Sequence, residues 1–126
     1  MPKVLVVDDD PDLVAICSFI LESEGYEVGV ARNGFEALDR IARDGIDLVL
    51  LDAMMPAMDG ITVCRLVRDS QCGRRVPVVI MSASQIMCER AKQHQADAVL
   101  PKPFSIDELL GIINRLTQSP RPAQSA

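Results

Sequence analysis

Four apolar runs in this sequence each lead to a side chain suited to handling a phosphate or a cation. Val4 to Val7 runs into Asp8, Asp9 and Asp10, and Leu48 to Leu51 runs into Asp52. Val78 to Met81 runs into Ser82, and Ala98 to Leu100 leads to Lys102. Short apolar runs bounded by turn signals read as strands buried on both faces, as in parallel sheets. The carboxyl ends of such strands line one crevice, and ligands bind there. If one sheet holds all four runs, Asp8, Asp9, Asp52, Ser82 and Lys102 share a small pocket.

Three carboxylates about 5 Å apart repel by on the order of 3 kcal/mol per pair at an effective dielectric of about 20. Such a cluster raises its own pKa values or holds a cation. Lys102 supplies one positive charge and leaves the pocket negative, whereas a divalent ion brings it close to neutral. The donors are hard oxygens with no Cys or His beside them, so Mg²⁺ or Mn²⁺ is expected rather than Zn²⁺. Singly, these residues have plainer uses. Asp10 is expected to cap a helix, Asp52 alone suits an Asx-turn, and Lys102 alone reads as a solvated loop residue. Their joint placement at neighbouring strand ends is what argues for a site.

The segments between the runs have helical spacing. Asp10 and Pro11 open a helix through Leu13, Ile16, Cys17, Ile20 and Leu21, which stops at Gly25. Tyr26 to Ala31 is a second strand. Asn33 and Glu36 form a capping-box pattern before Phe35, Leu38, Ile41 and Ala42, with Gly45 as the stop. After Asp52 and Pro56, Asp59-Gly60 opens a helix through Val63, Cys64, Leu66 and Val67. Ser84 to Gln95 is a fourth, weaker helix. Ser105 and Glu108 cap a fifth that carries Leu109, Leu110, Ile113 and Leu116. The β-α alternation, five times over, predicts an α/β fold: a doubly wound, five-stranded parallel sheet with helices on both faces, in the flavodoxin-like order 2-1-3-4-5. That order sets the first and third strands side by side, with Asp8, Asp9 and Asp52 at their ends.

The 126 residues suffice for one domain with a substantial core, expected over 1–117, with 118–126 a disordered tail or linker. A net charge of −5 argues against a general nucleic-acid surface. No apolar stretch approaches the roughly 18–20 residues of a membrane span. No signal-peptide pattern stands at Met1-Pro2-Lys3, and a reduced, cytoplasmic protein is expected. Cys17, Cys64 and Cys88 fall in helical patterns as small hydrophobes, and Cys72 sits in a loop; none shows metal-ligand spacing. Arg74 and Arg75 read as a solvated turn and His94 as a solvated helix end.

Together, Val-Leu-Val-Val-Asp8-Asp9-Asp10, Asp52-Ala-Met-Met-Pro56-Ala-Met-Asp59-Gly60, Met81-Ser82-Ala83 and Lys102-Pro103-Phe104 resemble the receiver domain of two-component response regulators. The resemblance spans residues 3 to 117. It implies that Asp52 accepts a phosphoryl group from a histidine kinase or a histidine phosphotransfer protein. It further implies that Asp8, Asp9, Asp52 and the backbone carbonyl of Met54 hold Mg²⁺. Lys102 and Ser82 would contact the phosphoryl oxygens, and the Lys102–Pro103 bond would be cis. The chain would then not be an enzyme beyond its own phosphorylation and dephosphorylation. It would signal to a downstream protein or output domain through the fourth helix, fifth strand and fifth helix, a face that also leaves homodimerisation open.

Three positions depart from or qualify the pattern. Val99 stands where the family usually has a switch aromatic; its stiff side chain has no polar tip, so the aromatic form of the switch cannot operate. Met54 and Ser84 stand where the family tunes phosphoryl lifetime, and neither positions an attacking water, so a long-lived adduct is expected. Competing readings fare worse. A dehalogenase-type phosphatase needs an acid where Met54 stands, and a flavin carrier needs hydroxyl- or glycine-rich loops where this chain has Asp-Asp-Asp-Pro. A degenerate receiver serving only as a protein-binding module is the alternative.

Overall fold

The structure is a computed structural model that describes residues 2–55, 58–70, 76–94 and 96–118. Pro56, Cys72, Arg74, Arg75, Gln95 and residues 119–126 lie outside it, including nearly all of the expected tail. Five strands and five helices alternate: β1 (Lys3–Val7), α1 (Pro11–Ser23), β2 (Glu27–Ala31), α2 (Gly34–Arg43) and β3 (Leu48–Asp52) form the first half. The second half is α3 (Gly60–Ser70), β4 (Val78–Ser82), α4 (Gln85–Gln93), β5 (Ala98–Pro101) and α5 (Ile106–Gln118). All strand pairs are parallel, in the order β2-β1-β3-β4-β5. The doubly wound sheet expected from the alternation is the fold observed.

Every residue of β3 and β4 is buried, as continuous apolar runs in the middle of a parallel sheet require. Alternate side chains serve opposite faces. Leu5, Val7, Val49, Leu51, Val78 and Ile80 pack with apolar residues of α2, α3 and α4. Val4, Val6, Leu48, Leu50, Val79 and Met81 pack with Cys17 and Leu21 of α1 and Leu109 and Ile113 of α5. The sheet is thereby clamped between two layers, and its strand ends cannot shift without disturbing both.

Local signals set the element ends. Asp10 accepts a hydrogen bond from the Asp12 amide and caps α1, with Pro11 at the first helical position. The Asn33 side chain caps α2 through the Glu36 amide. Ser105 and Glu108 close a reciprocal capping box on α5, at 3.0 and 2.9 Å. Gly25 and Gly45, which follow α1 and α2, take φ of +89° and +63°, where a side chain would be strained. Two apolar residues assigned to helix core faces lie outside: Ile16 is 57% and Phe35 61% exposed. Helical periodicity does not tell the rim of an apolar stripe from its centre. Leu50 is fully buried between β1, β4 and the α1–α5 layer. Leu50→Ala is expected to lower stability by about 2–5 kcal/mol in urea unfolding, since the clamped layers cannot collapse into the cavity.

Candidate functional site

β1 and β3 are neighbours in register Val7↔Leu51, so the residues that follow and end them, Asp8 and Asp52, emerge side by side. Asp8, Asp9 and Asp52 each offer a carboxylate oxygen, and these atoms all lie within 4.8 Å of one another. Asp8 and Asp52 are buried, whereas Asp9 is exposed at the mouth. Lys102, in the β5–α5 loop, reaches across from the far side of β4. Its Nζ stands 3.4 Å from Asp8 Oδ2 and 3.4 Å from Asp52 Oδ1, pairing with both at once. The Lys102 amide donates to the Ser82 carbonyl at 2.8 Å, and the Lys102–Pro103 peptide is cis.

Burial pushes the Asp8 carboxyl above its ordinary value, and the neighbouring Asp52 charge adds to this. The Asp10 amide, which donates to Asp8 Oδ1 at 3.0 Å, and the Lys102 ammonium work the other way. The rise wins because burial, the largest of these effects, disfavours the charged carboxylate. Beneath it, the Cys17 thiol is pushed up to about 11 by burial and by the Asp8 charge, which makes it inert filling. Cys17, Cys64 and Cys88 are all buried. His94 ends α4 as an exposed cap residue.

The backbone around Asp52 is shaped by a residue whose role the sequence did not disclose. The Gly60 amide donates to the Ala53 carbonyl at 3.0 Å. A Cβ on Gly60 would stand 2.4 Å from the Asp52 carbonyl oxygen and 2.9 Å from Ala53 Cα. Only glycine lets the start of α3 close on the end of β3. Asp59 fixes that start by accepting from the Thr62 amide at 2.9 Å. Met54 is 61% exposed, and its amide faces Asp52 Oδ1 at 3.4 Å.

Ser82, 1% exposed, is bound locally: its Oγ accepts from the Ser84 amide at 3.0 Å and donates to the Ser84 carbonyl at 3.4 Å. Val99 is half-buried and packs on the cluster beneath α2, α3 and α4. An apolar groove of about 540 Å³ adjoins the site, lined by Leu13, Ile16, Ile20, Phe104 and Ile106 and sharing Lys102.

Among the described residues, an acid pair and a third acid thus face a single ammonium, with a buried hydroxyl on the next strand. Comparison with known proteins agrees with it. The family model for the response regulator receiver domain matches residues 4–114. The chain belongs to that family. Response regulator MprA of Mycobacterium bovis is 39% identical over 126 residues, which is 98% of this chain and 54% of that protein. The chain thus spans about half the length of the curated relatives it matches. Among solved structures, a Francisella response regulator receiver domain shares 37% identity, with a TM-score of 0.85 over 94% of this chain and 98% of that one. The receiver domain of a sensor histidine kinase from Pseudomonas aeruginosa, solved with a magnesium ion in its active-site cleft, shares 32% identity. Its TM-score is 0.85, over 94% of this chain and 98% of that one.

The elevated Asp8 carboxyl makes a signed prediction. Between the ordinary value of 3.8 and its raised value, the folded protein keeps a proton that the unfolded chain has released. Asp8 therefore favours folding at pH below about 3.8 and loses that contribution as pH rises through the raised value. In the metal-free protein, Asp8→Asn should raise Tm at pH 7, and the gain should shrink towards pH 4. Calorimetry across that range checks it.

Proposed function

We propose that this receiver domain accepts a phosphoryl group on Asp52 from the phosphohistidine of a histidine kinase or histidine phosphotransfer protein. The observation that carries the reading is the convergence of Asp8, Asp9, Asp52 and Lys102 on one point at the sheet's carboxyl edge. An Asp52 carboxylate oxygen forms the new O–P bond while the donor's N–P bond breaks, and the electron pair returns to the donor imidazole. Phosphoryl transfer asks little of a protein beyond a positioned nucleophile and positive charge at the equatorial oxygens. Lys102 Nζ, already 3.4 Å from Asp52, is placed to donate to an oxygen of the arriving group. Ser82 supplies a hydroxyl from the adjacent strand.

The donor set fits a hard divalent cation: all three acids present oxygens, and these lie within 4.8 Å of one another. Asp8, Asp9, Asp52 and the Met54 carbonyl would hold Mg²⁺ or Mn²⁺. Bound there, the ion supplies charge neutralisation at the phosphoryl oxygens. The apolar groove between α1 and the β5–α5 loop borders the acceptor, and it offers the donor protein a surface within reach of Asp52. The phosphorylated domain then changes its contacts with a downstream protein or output domain through α4, β5 and α5, in a cytoplasmic setting. The degenerate-module reading would require a missing acceptor, acid pair or lysine, and each of these is present.

Acetyl phosphate with Mg²⁺ should give a single phosphoryl adduct by intact mass, and Asp52→Asn should abolish it. Lys102→Ala should slow uptake by about 10- to 100-fold, matching about 1.5–3 kcal/mol for a hydrogen bond to a charged group. Mg²⁺ at roughly a hundred times its Kd should stabilise the protein by about 2.7 kcal/mol, and EDTA should reverse this. Asp8→Asn should largely lose that gain. An unmodified wild-type protein under donor excess would favour the binding-module reading.

A further inference from the structure

Arg32 follows β2 directly and stands at the same edge of the sheet as the acids. β1 pairs with β2 as Val7↔Ala31 and with β3 as Val7↔Leu51. One step further along each chain segment, Arg32, Asp8 and Asp52 form a row across three neighbouring strand ends. The Asp8 amide donates to the Ala31 carbonyl at 3.2 Å, so the pairing of β1 with β2 still holds at that step. Asn33, next in the chain, caps α2 through the Glu36 amide at 2.8 Å and fixes the backbone beyond Arg32. The row is therefore acidic at its middle and one end, and cationic at the other.

Other cations in this chain already answer to a carboxylate. Lys3 pairs with Glu27, Arg40 with Asp44, Arg68 with Asp97, and Lys102 with both Asp8 and Asp52. The Arg32 guanidinium is exposed and has no ion-pair or hydrogen-bond partner among the described residues. It does not pair with Asp8 or Asp9, so its charge stays available beside the pocket. Neighbouring strands lie about 4.8 Å apart, and two such spacings set the backbones of Arg32 and Asp52 about 10 Å apart. In water, a unit charge about 10 Å from a dianion alters its local concentration about fourfold. A phosphoryl donor is such an anion, and it must approach three carboxylates. The same positive charge disfavours a divalent cation at those carboxylates by a similar factor.

We propose that Arg32 guides anionic phosphoryl donors to Asp52, and that it does so while weakening divalent-cation binding at the neighbouring acids. The inference rests on Asp52 being the phospho-acceptor. It adds to that reading a residue that selects donors by their charge.

Arg32→Ala, Arg32→Glu and Arg32→Lys provide the test, with two readouts at low ionic strength. One is the second-order rate of adduct formation from acetyl phosphate under saturating Mg²⁺, followed by intact mass. The other is the Mg²⁺ affinity of the unphosphorylated protein, from its thermal shift. Arg32→Ala should slow uptake about fourfold and tighten Mg²⁺ binding by about the same factor. Arg32→Glu should exaggerate both changes, and Arg32→Lys should keep wild-type behaviour. The slowing should vanish near 1 M salt, where the screening length is about 3 Å. It should also shrink with phosphoramidate, a donor of lower negative charge. A merely structural defect would weaken uptake and Mg²⁺ binding together, so the opposite signs identify the charge. Wild-type uptake in Arg32→Ala, or slowing in Arg32→Lys equal to that in Arg32→Ala, would overturn the role of Arg32 and leave the acceptor reading intact. A wild-type protein that takes no phosphoryl group would overturn both.

Discussion

The mutual repulsion of Asp8, Asp9 and Asp52, held in check by one lysine, is the constraint around which this molecule is arranged. Carboxylates left to themselves would separate, and unpaired burial of Asp8 is costly, as its raised pKa records. They stay together because β1 and β3 are locked in register by a core that covers both sheet faces. Lys102 offsets part of the repulsion by pairing with two acids at once. The pocket is therefore electrostatically incomplete by construction.

β3 and β4 are buried along their whole length, and Gly60 brings α3 against the Asp52 backbone too closely for any side chain. These features hold the Asp52 backbone in place. The fourth helix, nine residues long, is capped by Ser84, whose backbone amide and carbonyl bind the Ser82 hydroxyl.

Much of this was legible beforehand. Asp10-Pro11, Asn33 and the Ser105–Glu108 pair act as the helix starts that their types and spacing suggest, because capping depends on a few adjacent residues. The apolar runs read correctly as strands since burial on both faces leaves no polar alternation to mislead. Ile16 and Phe35 went astray: both fit a helical stripe, yet both are exposed, Ile16 along the groove beside the site. Gly60 stood beside Asp59 as a helix opener, and its close approach to Asp52 depends on a tertiary distance that no local pattern encodes. The dependence of Ser82 on Ser84 was hidden for the same reason.

By itself the sequence determined which residue types stand at each strand end and which helices begin and stop where, because both follow from period and from neighbours within a few positions. It could also set the strand order, since right-handed crossovers leave few options. Only the tertiary structure decided that Lys102 reaches two acids rather than one, that Asp8 is buried while Asp9 is not, and that Ser82 is held by the α4 cap. Those outcomes turn on differences of an ångström or two between segments far apart in the chain, and electrostatic and hydrogen-bond energies change over that same distance.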